Sequence, residues 1–431
     1  QRQMCIRDRG KACYHRSIKG LCRKQFFEMK EHTHMKKALS DITVLDLTRV
    51  LAGPYCTMML ADFGANVIKI EVPGKGDDTR AFGPLKNGAS MYYANVNRNK
   101  KGVTLNLKSP EGKKLFLEMV KKADVVVENY RPGVMDKLGV GYDVLKEVND
   151  QIIYGAVSGF GCYGPYSQRP GYDIIAQSSG GLMSITGEAG GHPLRVGNAM
   201  GDVLGGMNLT IGILTALHAR ALTGKGQRVD VSLVDSVVSS LETGTQRYFA
   251  SGKQPELMGN RYASAYPYDS FQASDGLFVI GCGNDKLYTL LCTKVLMRED
   301  LLTDPRFDTN VHRCENHEAL KPEIEKWTTQ HTIDECVELI LDAGVPASPI
   351  NDLKRVTTDP HIAGAREMFV PMHHPIIGDM KVNGNPVKLL DTKADISRPA
   401  PDLGQDNAAV YGELLGLTEA DLTALKEQQV I

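Results

Sequence analysis

Apolar and polar residues follow one another along the first half of the chain in a pattern that predicts alternating strands and helices. Short apolar runs at 42–47 and 66–71 flank a stretch at 54–64 whose apolar residues have helical spacing and end at a glycine. A strand, a helix and a second strand in this order predict a βαβ unit.

The same pattern then repeats. Strands are predicted at 102–107, 124–129 and 152–161, and the helix after the first of them opens with Ser109 as N-cap and Pro110 at its first position. This alternation predicts an α/β fold with a doubly wound, Rossmann-like parallel sheet. Glu71 ends the second strand, where dinucleotide-binding folds keep an acid for the ribose. The first turn, "TRVLAGP", lacks G-x-G-x-x-G, so no nicotinamide or flavin dinucleotide is expected.

The second half of the chain predicts a smaller α+β domain. A stretch dense in Gly, Pro, Ser and Tyr follows residue 244, and a strand at 276–283 precedes helical segments around 286–297, 315–327 and 332–343. The predicted organisation has five parts: a leader or artefact at 1–37, a large α/β domain at 38–225, a linker at 226–260, a small α+β domain at 261–345, and at 346–431 a linker and C-terminal segment that packs back on the large domain.

Composition narrows the class of partner. Of the 431 residues, 42% are hydrophobic and 23% charged, the net charge is −1, and no run of 18 apolar residues occurs. Neither nucleic acid nor a membrane is therefore expected as a partner. The nine cysteines are scattered without a C-x-x-C pair, which indicates a reducing compartment and argues against a disulfide framework or a metal site.

The first 37 residues differ from the rest, because they hold eleven Lys or Arg and only three acids. A mitochondrial presequence would be basic, but Asp8, Glu28 and Glu31 interrupt the positive charge and no apolar stripe is evident. "MKKALSDITVLDL" from Met35 is typical of a start that leads into a strand. We expect the leader to be disordered and the protein to be cytoplasmic, with the mitochondrial matrix as the alternative if 1–34 are a presequence.

One carboxylate stands in an unusual setting. Asp202 lies in "VGNAMGDVLGG", among small and apolar residues. On these letters alone, the favoured interpretation is an N-cap of a helix that begins near Val203. The alternative is a reactive carboxylate.

Several longer motifs bear on this choice. "VLDLTRVLAGPYCTMMLADFGANVIKIE", "GDDTR", "NRNKKGVTLNLKSPEGK", "ADVVVENYRPGVMDKLGVGYD", "SGFGCYGP", "GNAMGD" and "TGKGQRVDVSLVD" occur in this order. Together they resemble the class III CoA-transferases, which include formyl-CoA, carnitine and succinyl-CoA:glutarate CoA-transferases. The resemblance covers the chain after residue 38 and implies an interlocked-ring homodimer.

The resemblance implies that Asp202 is the catalytic aspartate, which forms covalent acyl and CoA intermediates. A carboxylate can attack a thioester to give a mixed anhydride, and the released thiolate can return to give an aspartyl thioester. Glycines 201, 205 and 206 are expected to leave room for the substrate. The implied support in the active site comes from Tyr172, Asp173 and Gly201.

Other positions carry over from the resemblance as binding residues. Arg49 and Arg98 are weaker candidates for phosphate binding, and Arg261 is a candidate for holding the distal carboxylate of a dicarboxylic acid. The implied CoA-binding residues are Val50, Leu51, Ala52, Leu105, Lys108, Asn129, Tyr130, Arg131 and Lys137, and the implied substrate loop is Gly259, Asn260 and Arg261.

The expected reaction is CoA transfer from an acyl-CoA, with succinyl-CoA the favoured donor, to a small carboxylic or dicarboxylic acid. CoA thioesters are the substrates, and no permanently bound cofactor is expected. Leu51 replaces the glutamine of formyl-CoA transferases, and "MGNRYASAYPY" replaces their glycine-rich loop, which disfavours oxalate and formyl-CoA.

Two other classes compete with this interpretation. An α-methylacyl-CoA racemase shares the fold but carries a His-Asp pair where this chain has Tyr172 and Asp173, and a tyrosine of ordinary pKa is a poor acid or base. A catalytically silent CoA-binding protein would be indicated by loss of Asp202, which is present.

Overall fold

A computed structural model describes residues 36–431. Its centre is a sheet of six parallel strands in the order β5-β2-β1-β6-β7-β8. The strands of this sheet are β1 (Thr43–Asp46), β2 (Asn66–Glu71), β5 (Lys101–Thr104), β6 (Val125–Glu128), β7 (Ile153–Ser158) and β8 (Arg228–Ser232). The chain therefore reverses its direction of winding between β1 and β6, as in the predicted Rossmann-like sheet.

Helices cover both faces of the sheet because each strand directs alternate residues to opposite sides. Val44 of β1 packs on the face covered by the helices at 52–62, 200–223 and 233–239, whereas Leu45 packs on the face covered by the helices at 110–120 and 142–148. The helices of this part are α1 (Ala52–Asp62), α2 (Met91–Val96), α3 (Pro110–Val120), α4 (Val134–Lys137), α5 (Tyr142–Val148), α6 (Asp173–Ser179), α7 (Met200–Thr223), α8 (Leu233–Ser239) and α9 (Thr243–Ser251). Leu85–Lys86 (β3) and Ala89–Ser90 (β4) form a short hairpin before α2.

A second unit has its own apolar core, built from residues 266–345. Three antiparallel strands form its sheet: β9 (Tyr268–Ala273), β10 (Gly276–Gly281) and β11 (Ala347–Pro349). Its helices are α10 (Asp285–Leu290), continued by a π-helical turn over Leu291–Leu296, α11 (Asp300–Thr303), α12 (Asn310–Glu315), α13 (His317–Thr328) and α14 (Ile333–Asp342). The three helical segments predicted around 286–297, 315–327 and 332–343 are confirmed.

The C-terminal segment returns to the large sheet. After α15 (Leu353–Thr358) and a π-helical turn (Pro360–Ala365), a hairpin of β12 (Phe369–His374) and β13 (Gly378–Asn383) packs with α2. Helices α16 (Asn407–Leu415) and α17 (Glu419–Glu427) then pack on the sheet face that also carries α3 and α5. The hydroxyl of Tyr411 donates to the Thr104 carbonyl at 2.7 Å, which ties α16 to β5.

The linker predicted at 226–260 is wrong over its first part. Residues 228–232 form β8, the edge strand of the central sheet, and α8 and α9 follow. The sequence "RVDVS" alternates polar and apolar residues, as an edge strand with one buried face requires. Residues 1–35 of the predicted leader lie outside the described residues, and Lys37 pairs with Asp395 at 2.6 Å.

Helix α7 is long and apolar enough, by length and composition alone, to cross a membrane. One side of it packs against α1, β7 and α8 and supplies Leu209, Ile213 and Ala216 to the core beneath the sheet. The other side carries exposed apolar residues, among them Ile211 and Leu222. The side that supplies these core residues packs as a core helix does in a layered α/β fold.

Candidate active site

A cleft of about 420 Å³ opens at the carboxyl ends of the central strands. It lies beside the switch point between β1 and β6, where open α/β sheets bind their ligands. The loop after β1 contributes 49–52, the loop after β6 contributes 129–132, and the end of β7 contributes 157–159. The rest of the lining consists of Asp78, Val134, residues 169–172, Asp202 and Leu233 at the start of α8.

Asp202 is inside the first turn of α7 and does not cap it. The helix begins at Met200, and its N-cap residue, Ala199, makes no side-chain cap. Asp173 serves that purpose instead, because the Gly201 N–H donates to its Oδ1 at 2.8 Å. Within residues 36–431, the Asp202 carboxylate forms no side-chain hydrogen bond or ion pair. The interpretation of Asp202 as a helix cap is therefore wrong.

The surroundings of Asp202 alter its acidity. Burial raises the pKa of this carboxyl to about 7, and the nearby negative charge of Asp173 acts in the same direction. The positive end of α7 opposes both effects. A carboxylate that is poorly solvated and lacks hydrogen-bond donors is more nucleophilic than one in water, so this environment suits covalent chemistry.

The glycines around Asp202 serve helix packing and do not open space for a substrate, contrary to the expectation from the sequence. A Cβ atom on Gly206 would lie 2.6 Å from the Ala52 carbonyl oxygen on α1, and one on Gly205 would lie 2.5 Å from the Leu233 side chain. Gly201 is buried against α6. The glycines allow α7 to approach α1, α6 and α8 closely, which fixes the position of Asp202 at the cleft.

The loop between β1 and α1 has a strained backbone. Val50 has a φ of 66°, a left-handed conformation that β-branched residues rarely adopt and that costs about 1–3 kcal/mol. Asn129 holds this loop to the end of β6, because its Oδ1 accepts from the Arg49 N–H at 2.8 Å and its Nδ2 donates to the Arg49 carbonyl at 2.6 Å. Val50, Leu51, Ala52 and Asn129 thus meet in one cleft.

Three arginines give the cleft positive charge. Arg49 pairs with Asp78 at 3.2 Å, and Arg131 is exposed at the loop after β6. The third, Arg169, was not identified from the sequence; its guanidinium lies 3.5 Å from the centre of the Tyr166 ring. Among the described residues it has no ion-pair partner. The motif "RPGYD" before α6 was the available indication. Arginines in such a cleft suit phosphate or carboxylate groups.

Two tyrosines approach this site. Tyr172 lines the cleft and is largely exposed, whereas the adjacent Asp173 is engaged by Gly201 and by Gln177 at 2.9 Å. Burial raises the pKa of Tyr92 to about 12, and the charge of Asp202 adds to this shift. The neutral phenol of Tyr92 therefore lies within electrostatic range of Asp202, a proximity that the sequence pattern did not reveal.

Some predicted site residues lie elsewhere. Leu105 is buried in the core on the α3 face, and Lys108 and Lys137 are exposed and do not line the cleft. Tyr130 does line it. The roles proposed for these four residues in CoA binding stay predictions.

The predicted substrate loop also lies outside the cleft. Gly259 donates its N–H to the Gly187 carbonyl, Asn260 donates to Ser270 Oγ at 3.2 Å, and Arg261 follows them toward the second unit. Its part in substrate binding stays a prediction.

Two charged residues considered for ligand binding, Arg98 and Glu71, are instead held in ion pairs within the protein. Arg98 is 1% exposed and pairs with Asp62 at 2.8 Å, so the expectation that it binds phosphate is wrong. Glu71 pairs with Arg80 at 2.6 Å and is not free to bind a ribose. In the part of the chain that the structure describes, no group of three or more His, Cys, Asp or Glu residues could hold a metal, and the six cysteines found there are free thiols.

Comparison with known proteins decides the family. Residues 39–407 match CoA-transferase family III. The chain belongs to this family. It is thus a class III CoA-transferase, an enzyme class whose members transfer CoA between an acyl-CoA and a carboxylate.

Named relatives of this CoA-transferase span nearly the same length. It is 43% identical to an acetyl-CoA:oxalate CoA-transferase of Acetobacter aceti, over 88% of this chain and 96% of the relative. It is 38% identical to the succinyl-CoA:glutarate CoA-transferase of Homo sapiens, over 88% and 86% of the two chains. A crystal structure of a CAIB/BAIF family protein from Brucella suis superimposes with a TM-score of 0.78 at 38% identity, over 88% of this chain and all of the other.

Proposed function

We propose that this enzyme moves CoA from an acyl-CoA, with succinyl-CoA the favoured donor, to a small carboxylic or dicarboxylic acid through covalent intermediates on Asp202. The observation that carries the proposal is the Asp202 carboxylate, which lines the cleft without a hydrogen-bond partner among residues 36–431 and has a raised pKa. No metal or bound cofactor takes part in the proposed steps.

The first half of the reaction transfers CoA to the enzyme. A carboxylate oxygen of Asp202 attacks the thioester carbonyl, the carbon–sulfur bond breaks, and CoA leaves as a thiolate from a mixed anhydride. The thiolate attacks the aspartyl carbonyl of the anhydride and expels the donor acid as its carboxylate, which leaves an aspartyl-CoA thioester. The acceptor carboxylate repeats these two steps in reverse, so atoms and charge balance without net proton transfer.

The cleft supports these steps by position and charge. We assign the phosphates of CoA and the carboxylate of the acceptor to the positive charges of Arg49, Arg131 and Arg169, which line the cleft together with Asp202. The anhydride is sensitive to water, so a bound acyl-CoA that fills the cleft also protects it from hydrolysis.

The choice of acceptor is open between two kinds of acid. Two relatives are named for succinyl-CoA with glutarate or mesaconate, which favours a dicarboxylic acceptor. The relative named for oxalate weighs against the sequence-based argument that disfavoured this acid. A panel of succinyl-CoA, acetyl-CoA and formyl-CoA with glutarate, mesaconate, oxalate and acetate, analysed by mass spectrometry, distinguishes these possibilities.

Trapping the enzyme with hydroxylamine after incubation with acyl-CoA tests the mechanism. We expect the label on the peptide that contains Asp202, and we expect Asp202→Asn to reduce transfer at least about 1,000-fold because it removes the nucleophile. Asp235→Asn is the matched control, since Asp235 also lies in the first turn of a helix but outside the cleft. A label on another residue, or racemisation of a 2-methylacyl-CoA without transfer, would contradict the proposal.

The proposed active form is an interlocked-ring homodimer. The resemblance to the family implies this assembly, and exposed apolar residues on α7 support it: Ile211 is 59% exposed and Leu222 is 75% exposed. Apolar surface of this kind is typical of a subunit interface. Light scattering that shows a stable folded monomer at working concentration would exclude the dimer.

A further inference from the structure

Four of the sequence motifs bring charged residues into the interior of the protein beneath the cleft. Asp46 comes from "VLDL", Lys69 from "VIKIE", Asp77 from "GDDTR" and Lys100 from "NRNKK". Each of the four side chains is at most 2% exposed. None of them lines the cleft, so substrate contact does not explain why they are charged.

The four charges form two connected ion pairs. Lys100 Nζ lies 3.0 Å from Asp46 Oδ2, and Lys69 Nζ lies 3.0 Å from Asp77 Oδ2. Thr57 also donates its hydroxyl to Asp46 Oδ2 at 2.7 Å. These partners keep the buried carboxylates ionised.

Other contacts of this cluster reach the loop between β1 and α1. Lys69 Nζ donates to the Thr48 carbonyl at 2.9 Å, and Asp46 Oδ1 accepts from the Thr48 N–H at 2.9 Å. Asp77 Oδ1 accepts from the Val50 N–H at 3.3 Å, and the Thr79 N–H and hydroxyl orient that carboxylate at 3.0 and 2.8 Å. The cluster thus binds the backbone of the loop at Thr48 and at Val50, the residue with the left-handed conformation.

Stability alone does not require such a cluster. Well-packed apolar residues often replace a buried ion pair without loss of stability, whereas a carboxylate and an ammonium group can bind backbone N–H and carbonyl groups in defined directions. Val50 needs this directional hold, because a valine left to itself would relax from a φ of 66° to an extended or helical conformation.

We propose that the Lys69–Asp77 ion pair is a positioning device that holds Val50 in its left-handed conformation and so gives the loop at 49–52 the shape that receives the acyl-CoA. The nature of the ligand rests on the proposed function; the control of the loop by the ion pair does not. Lys69 and Asp77 are positioning residues, since they act through the backbone of the loop.

Asp77→Asn tests this role, because it keeps the shape of the side chain and removes the charge that pairs with Lys69. We expect the KM for acyl-CoA to rise roughly 10- to 100-fold, as displacement of binding groups by about an ångström can cause. Amide hydrogen exchange at residues 49–51 should become faster. Val50→Gly in the same chain should restore much of the KM, since glycine adopts the left-handed conformation without strain.

Asp62→Asn is the matched control, because it breaks another buried pair, with Arg98, at the far end of α1. It should lower stability without changing exchange at 49–51. A folded Asp77→Asn variant with unchanged KM and unchanged exchange would overturn the proposal, as would an equal rise in KM for Asp62→Asn or no rescue by Val50→Gly. If Asp77→Asn does not fold, the milder Thr79→Val decides by the same criteria.

The experiment separates this proposal from the proposed function. If the wild-type protein transfers no CoA from any donor, the proposed function fails. Hydrogen exchange at 49–51 in the Asp77→Asn and Asp62→Asn variants still decides whether the ion pair holds the loop.

Discussion

The core of the large sheet and the core of the second unit differ in how much charge they bury. The large sheet and its helices bury three ion pairs, Asp46–Lys100, Asp77–Lys69 and Asp62–Arg98, and the first two of these lie beneath the cleft. The second unit buries an apolar core around Phe271, Phe278 and Phe307 and one fully buried cation, Arg313. Charge is thus concentrated in the core that supports the cleft.

This difference indicates what buried charge contributes. The second unit shows that this chain can build a core almost entirely from apolar packing, which is the less costly way to gain stability. Beneath the cleft, Asp46, Lys69 and Asp77 contact the loop at the carboxyl end of β1, whereas the Asp62–Arg98 pair lies at the far end of α1. The comparison therefore predicts that changes in the two ion pairs beneath the cleft alter both stability and function, and that changes in the apolar core alter stability alone.

The largest expected effect is that of Lys100→Met. This change leaves the Asp46 carboxylate buried without its nearest cation, so the free energy of unfolding should fall by about 3–5 kcal/mol. Denaturation by urea measures this loss of stability. The KM for acyl-CoA, measured below the unfolding transition, tests whether function changes as well.

The counterpart in the apolar core is Phe278→Leu. Phe278 is fully buried, and the smaller side chain should lower the free energy of unfolding by about 1 kcal/mol and leave KM unchanged. If both variants changed stability without any change in KM, the distinction between the two cores would fail.

An effect smaller than that of Lys100→Met concerns Asp202, the cleft carboxylate that has no hydrogen-bond or ion-pair partner among residues 36–431. The pKa of Asp202 is raised from 3.8 to about 7 in the folded protein, so its contribution to stability is complete below about pH 4 and is lost as the pH rises through 7. Asparagine stays neutral throughout. Asp202→Asn should equal the wild type in stability near pH 4 and exceed it by about 2 kcal/mol at pH 8, once the opposing field of the helix is allowed for.

Thermal unfolding at pH 4, 6 and 8 measures this difference. For Asp235→Asn, in the first turn of α8, the stability relative to the wild type should not rise between pH 4 and pH 8 in this way. Equal stability of wild type and Asp202→Asn at all three pH values would mean that Asp202 is not strained by its burial.

The smallest effect is expected at the rim of the cleft. Arg169→Ala removes an exposed cation that stacks on Tyr166, so the KM for acyl-CoA or for the acceptor should rise about 3- to 10-fold, and less in 0.5 M salt. Arg355→Ala, at an exposed arginine outside the cleft, is the control and should change neither KM. If the KM values of the two variants were identical, Arg169 would not contribute to substrate binding.

Local patterns in the sequence predicted much of this architecture. Ser109 caps α3 through the Gly112 N–H with Pro110 in the first turn, as the letters indicate, because capping depends on neighbours within one turn. The alternation of strands and helices predicted a parallel doubly wound sheet, because hydrophobic period and short connections leave few other topologies. The resemblance of the motifs, more than any one residue, predicted the family.

Contacts between distant segments decided the rest. The letters around Asp202 favoured a helix cap, and only the fold shows that Asp173, 29 residues earlier in the sequence, takes that place and leaves Asp202 without a partner among the described residues. Arg98 and Arg169 look alike as letters, yet one is buried against Asp62 and the other lines the cleft. The acidity, charge pairing and accessibility of a side chain depend on groups brought near it in space, and sequence pattern records only its neighbours along the chain.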